Sequence, residues 1–225
     1  MLAERTDIEP AGFTLAPSVR HAVVDDDVVF LDLAKGAYVC MAGTAGAFAP
    51  QADGRLLIRD ARLAAKLSAA GLLSPVAADT RRGEPPDPIP PRTSAVRWTY
   101  PPPRLGDLAP MLRAVADVMI DYRNQPLAQL LRTVADAPAV APADDRLMAT
   151  VDAFHRWIPY APLPGKCLVR SFVLKRFLSR SGLGVDWVFG VATWPFRAHC
   201  WLQAGDVVLD DTVEHVAGYT PILVA

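Results

Sequence analysis

Three side chains in the last third of the sequence have the types and the order that acyl transfer needs: Cys167, His199, and one of the pair Asp210-Asp211. Cys167 follows Pro164-Gly165-Lys166, a breaker pair ahead of an apolar run, so the spacing predicts that the thiol opens a helix. There it meets unpaired backbone N–H groups and the positive end of the helix dipole, and both favour thiolate, the nucleophilic form. His199 lies in Arg197-Ala198-His199-Cys200-Trp201-Leu202, a strand-like run that feeds a second one, Val207-Val208-Leu209, which ends in the two acids. A histidine held against the thiol and oriented by a carboxylate completes a nucleophile–base–acid set.

Each residue also has a bland reading. A single cysteine is usually a small buried hydrophobe, and a single histidine in a strand usually packs. The combination, on a helix start followed by a hairpin, favours chemistry. Strand parity then bears on the acid. Side chains alternate along strands, and residues opposite each other in a hairpin share a face. An odd-length loop around Ala204-Gly205 puts Asp211 on the face of His199, and an even one puts Asp210 there. Gly205 suits the left-handed position of a three-residue loop, which favours Asp211. Asp210 then points to solvent or to a backbone amide. Cys200 follows His199 directly, faces the other way, and reads as packing, and Cys40 reads as core. His21, His155 and His215 have no visible partner and are left as structural. Trp157 and Trp201 read as core rather than as a cleft lining.

The elements that must position these groups fall on either side of a proline-rich stretch. Residues 75–103 contain nine prolines, which cannot sustain helix or central-strand hydrogen bonds, and residues 81–104 read as a linker. Before it, in residues 1–80, Phe13–Leu15, Arg20–Val24, Val28–Leu33 and Ala37–Met41 form a small β-meander, followed by helices over Gly43–Phe48 and Ile58–Ala70. After it, in residues 105–225, helices come first: Leu108–Tyr122, Leu127–Ala135, Arg146–Trp157 with Asp144 or Asp145 as N-cap, and Cys167–Arg180. On this last helix Leu168, Phe172, Phe177 and Leu178 face inward, and Arg170, Lys175, Arg176 and Arg180 face solvent. Strands over Val185–Ala192, Ala198–Gln203, Val207–Leu209 and Ile222–Val224 close the chain. The fold class is α+β, a helix feeding an antiparallel sheet.

Composition bounds the function. Hydrophobic residues make up 52%, enough for a sizeable core, and a formal charge of −1 points to no nucleic-acid partner. The N-terminus lacks the apolar stretch of a signal peptide, and no run approaches the ~18 apolar residues of a membrane span. Three cysteines make no disulfide framework, so the expected compartment is the cytoplasm. CxxC, HExxH and GxGxxG patterns are absent, and Gly165-Lys166 is followed by Cys, which breaks a P-loop. No metal or cofactor is expected.

The second half resembles the B protein of lasso-peptide biosynthesis, a transglutaminase-like cysteine protease. The likeness rests on Phe154-His155-Arg156-Trp157-Ile158-Pro159, Cys167-Leu168-Val169-Arg170-Ser171, Gly190-Val191, Pro195 to Trp201, and Val208-Leu209-Asp210-Asp211. It implies Cys167 as nucleophile, His199 as base and Asp211 as acid. Where this family commonly has Ala after the histidine the chain has Cys200, and Gln203 stands where an acid is frequent. The first half resembles the PqqD-like element that binds leader peptides, through Val28–Leu33, Lys35-Gly36-Ala37-Tyr38 and Leu67-Ser68-Ala69-Ala70-Gly71-Leu72-Leu73. The resemblance implies a leader peptidase with two partners, a precursor peptide and an asparagine-synthetase-like cyclase. The leader would add as a strand along Val28, Val29, Phe30, Leu31, Asp32 and Leu33. A transglutaminase-like acyl transferase and a non-catalytic peptide-binding adaptor are the alternatives. The identity of the acyl acceptor separates the first, and a Cys167 silent towards alkylators would mark the second.

Overall fold

The structure, a computed structural model, describes residues 12–50, 55–75, 88–122, 125–134, 140, 142–161 and 166–225. The predicted breaker Pro164-Gly165, and residues 81–87 of the expected linker, lie outside the described residues. The chain divides into two compact units.

The first unit holds β1 (Gly12–Leu15), β2 (Val19–Val24), β3 (Asp27–Asp32), β4 (Ala37–Met41), β5 (Phe48–Pro50), β6 (Leu56–Ile58), α1 (Ala61–Ala69) and β7 (Leu73–Pro75). The meander is present as an antiparallel sheet in the order β2-β3-β4. A second sheet, in the order β5-β6-β1-β7, was not expected. It takes up both ends of the segments read as helices. Only a single 3₁₀ turn forms at Ala45–Ala47 before Phe48 pairs with Ile58, and α1 begins later, at Ala61, with Asp60 as its N-cap. The Asp60 carboxylate accepts from the N–H groups of Arg62 and Leu63 at 2.8 and 3.2 Å, a side-chain cap that fixes the helix start. Leu63 and Leu67 of α1 then close on Val28, Phe30, Leu56 and Ile58.

One expectation fails here. β3 is the middle strand, paired with β2 from Val19↔Asp32 to Val24↔Asp27 and with β4 from Val28↔Met41 to Asp32↔Ala37. All of its residues are buried. Val28, Val29, Phe30, Leu31 and Asp32 therefore have no edge to offer a leader, and Leu33 lies just past the strand. Cys40, read as core, is exposed on β4.

The second unit holds β8 (Thr93–Ser94), α2 (Leu108–Asp121), α3 (Leu127–Thr133), α4 (Asp145–Trp157), α5 (Cys167–Arg180), β9 (Asp186–Ala192), β10 (Arg197–Ala204), β11 (Val207–Val208), α6 (Val213–Val216) and β12 (Thr220–Val224). Its sheet runs β12-β9-β10-β11-β8. The stretch read as linker is therefore structural from its middle onward. β8 pairs in parallel with β11, and Ala95 N–H donates to Val208 O at 2.7 Å. Proline content hid a strand only two residues long.

Asp144 caps α4, accepting from Leu147 N–H at 2.9 Å. α5 lies against the sheet, with Phe172 and Trp187 rings 5.9 Å apart. Towards α2 it presents cations, and Arg180 grips Asp117 through two bonds of 2.8 and 2.6 Å while Arg176 reaches Asp121 at 2.7 Å. Lys175, expected in solvent, is instead buried. Its ammonium donates to the carbonyls of Val185 and Ala225 at 2.8 and 3.1 Å, which compensates part of the desolvation.

Candidate active site

Cys167 is the first residue of α5, and no side chain caps this end of the helix. The first-turn N–H groups are thus available to a thiolate. β10 brings His199 to it. The thiol is hydrogen-bonded to the thiol of Cys200 and to the His199 ring, and it also receives a bond from the Cys200 main chain. Together, and in that order, the Cys200 thiol and His199 outweigh burial and hold Cys167 down at about 4.

His199 is the hub. Its Nε2 lies 2.5 Å from Asp211 Oδ2, which leaves Nδ1 for the thiol. Burial acts to lower the imidazole, but the Asp211 bond and the Cys167 contact prevail and raise it to about 9. Asp211 in turn sits at about 2, since bonds from His199, from Thr212 N–H at 2.7 Å and from His215 overcome the cost of burying a carboxylate. The resting state between the two limits is a thiolate–imidazolium pair oriented by a carboxylate.

Parity reached this aspartate by a wrong route. Ala204 pairs with Val207, so the hairpin loop is the two residues Gly205-Asp206, an even loop. A regular β11 would have turned Asp210 towards His199. β11 ends at Val208, however. Leu209 N–H still donates to Leu202 O at 2.9 Å, and beyond it the chain bends away from strand geometry. Asp210 turns inward, not to solvent: it accepts from Leu202 N–H at 2.8 Å and from Ser171 Oγ at 2.5 Å. Burial pushes this carboxyl up to about 6.

Several residues left as structural turn out to brace the site. His155, on α4, is buried with Nε2 2.7 Å from Leu209 O, at the point where β11 departs from its strand. Burial lowers it to about 4, so the ring is neutral and donates to that carbonyl. His215, on α6, holds Asp211 Oδ2 through Nδ1 at 2.8 Å. Ser171 lies one turn along α5 from Cys167, a relation the helical period would have disclosed. The sequence did not disclose the partner of either histidine: His155 meets a backbone carbonyl 54 positions on, and His215 meets Asp211 across the turn into α6. Cys200, read as packing, touches the Cys167 thiol.

The walls are aromatic. His199 stacks on Trp201 at 6.1 Å and faces Tyr219 at 5.2 Å. Gly190 pairs directly with His199 across β9 and β10. A Cβ there would stand 2.8 Å from Tyr219 Cβ and 2.9 Å from the Trp201 ring, so glycine is what lets these rings close behind the histidine. Among the described residues, His199, Asp211 and His215 are the group whose ligand atoms lie within 4.8 Å of one another, as a metal would require. Their separations of 2.5 and 2.8 Å are hydrogen-bond lengths.

The electrostatics predict how the thiol reacts. Alkylation of Cys167 by iodoacetamide should already be fast near pH 5 and fall only towards the acid limit at about 4. An ordinary thiol gains reactivity only as pH approaches about 8.5. Mass spectrometry of the Cys167 peptide against pH reads this directly. An acid limb near 8 would show that the ion pair does not form.

Residues 112–224 match the Transglutaminase-like superfamily, half of the chain. A shorter stretch of 45 residues is 40% identical to the Microcin J25-processing protein McjB of Escherichia coli, covering 20% of this chain and 22% of that protein. The match thus spans about a fifth of the relative's length. No solved structure gives a significant match. A helix-borne thiol facing a histidine on an antiparallel sheet agrees with the broader of the two likenesses, and on its extent the chain belongs to the transglutaminase-like superfamily.

Proposed function

We propose that this chain is a cysteine peptidase that removes the leader from a ribosomally made precursor, as a lasso-peptide B protein does. The observation that carries the reading is the chain of contacts from Cys167 through His199 to Asp211. The Cys167 thiolate attacks the carbonyl at the leader–core junction, and the oxyanion that forms meets the N–H groups of the first turn of α5. His199, holding the proton, gives it to the departing amine of the core. The leader is left as a thioester on Cys167. The now neutral ring takes a proton from water, which attacks the thioester and returns the thiolate. Hydrolysis and amide formation share every step but the last.

Leader capture is assigned to the first unit. With β3 enclosed between its neighbours, strand addition to that sheet falls to β2 or β4, its outer strands. A tether to the protease raises the concentration of the scissile bond to about the millimolar range, which makes a tolerant active site selective. The freed core would pass to an asparagine-synthetase-like cyclase. No described helix is long and apolar enough to cross a membrane, and a cytoplasmic setting fits a chain whose site depends on a reduced thiol.

The test uses the full chain with a precursor peptide, read by mass spectrometry, with and without an added primary amine. Leader and core released as free acid and free amine support the peptidase. Incorporation of the amine at the leader carboxyl would turn the reading to acyl transfer, and neither product would leave a binding adaptor.

A further inference from the structure

Cys200 is one of two positions at which the chain departs from the pattern of the family it resembles, which commonly has alanine there. Cys200 is 3% exposed and, through its pairing with Phe189, shares the sheet face of Trp187, which packs on Phe172 of α5; its thiol lies close enough to that of Cys167, itself partly open to solvent, for each to govern the other's ionisation. One turn along α5, Ser171 ties the two chain segments: its hydroxyl donates to Asp210 Oδ2 at 2.5 Å and lies 3.4 Å from Cys200 O. The nucleophile thus has a second thiol as its neighbour, fixed by the packing of α5 on β10.

We propose that Cys167 and Cys200 form a reversible disulfide when the chain meets a hydroperoxide, so that the active-site thiol is parked rather than destroyed. The reading of Cys167 as nucleophile in the proposed function sets the consequence, which is a switch on activity; the covalent chemistry stands without it. In the first step the Cys167 thiolate attacks the peroxide O–O bond. Sulfur gives up two electrons, one oxygen stays on it as sulfenic acid, and the other leaves as water or alcohol after taking a proton. In the second step the Cys200 sulfur attacks the sulfenic sulfur, the S–O bond breaks, and the hydroxyl leaves with the Cys200 proton as a second water.

The geometry divides the roles. A peroxide reaches Cys167 and not Cys200, so the first is the attacked thiol and the second the resolving one. The Cys200 thiol is held protonated chiefly by its bond to the Cys167 sulfur and then by burial. The first oxidation removes the thiolate charge from that bond and releases the resolving thiol to react. Cys40 is exposed but lies in the other unit, with its thiol pushed up by desolvation and by Asp27, which slows its own oxidation.

The experiment treats the full chain, carrying Cys40→Ser to remove the third thiol, with hydrogen peroxide, then blocks free thiols, digests and maps the peptides by mass. The expected product links the Cys167 and Cys200 peptides with the loss of two hydrogens, and dithiothreitol restores both thiols and the fast alkylation of Cys167. In Cys200→Ala, and equally in the near-isosteric Cys200→Ser, the linked peptide is lost. Dimedone then traps Cys167 as sulfenic acid, and continued exposure adds two and three oxygens that dithiothreitol does not remove. Overoxidation of Cys167 at the same rate with and without Cys200, and no linked peptide, would overturn the proposal. Cleavage of a precursor enters none of these measurements. A chain that forms the disulfide yet cleaves nothing would refute the peptidase and leave the thiol pair standing.

Discussion

Cys167→Ala leaves a chain that binds precursor but does not cut it. Removal of the attacking atom from a nucleophile–base–acid unit costs on the order of 10⁵–10⁶-fold in kcat, because the remaining members have nothing to activate. Adding His199→Ala to it should change little further, since the pair acts as one group. Folding should survive. The side chain is only partly buried, and the charge lost from the first turn of α5 is worth about 0.3–1 kcal/mol. The measurement is precursor cleavage by mass spectrometry beside thermal unfolding and precursor affinity. Normal cleavage by a folded Cys167→Ala chain would end the assignment of the nucleophile, whereas loss of cleavage together with loss of fold would point to Cys167 as a packing residue.

The helix that carries this thiol was legible because its signals are local: a breaker ahead of it, an apolar period along it, and Gly182, which adopts φ 72° just past its end. The strands β9 and β10 were legible for the same reason. What failed needed information from outside the segment. An uninterrupted run such as Val28-Val29-Phe30-Leu31 marks burial on both faces, which belongs to the middle of a sheet more than to its edge. The resemblance pulled that run to the edge, and the pairing puts it in the middle. Gly205, at φ 59°, fits a two-residue loop as readily as a three-residue one, so it could not fix the parity of the hairpin.

Nor could strand arithmetic see where β11 stops. At the bend the Leu209 carbonyl is met by His155, 54 positions earlier on α4. Lys175 shows the same blindness for charge. Its position on α5 reads as exposed until the carbonyls of Val185, 10 positions on, and Ala225, 50 positions on, are found around its ammonium. Local strand geometry alone would have set Asp210 against His199, where the structure has Asp211.

The two aspartates should separate sharply on substitution. Asp211→Asn keeps the shape of the side chain but replaces the carboxylate that His199 Nε2 meets at 2.5 Å. An amide neither stabilises the imidazolium nor fixes its tautomer. The His199 pKa then falls from about 9 and the thiol loses the cation that helps hold it at about 4. A drop in kcat on the order of 10³–10⁴-fold is expected, with KM little changed, because the carboxylate acts through the histidine and not on the peptide. The acid limb of Cys167 alkylation should move up in pH at the same time, which a purely structural lesion would not produce. Asp210→Asn behaves differently. Its amide oxygen can still accept from Leu202 N–H in place of Oδ1, its amide nitrogen takes the place of Oδ2 and donates to Ser171 Oγ, and burial already holds the native carboxyl partly protonated near pH 6. Its cost should appear in thermal stability, about 1–3 kcal/mol if one of the two bonds is lost, with the alkylation profile in place. Should Asp210→Asn cripple turnover and shift the alkylation limb while Asp211→Asn does neither, the acid of the site would be Asp210 and the bend at Leu209 would not exist in solution.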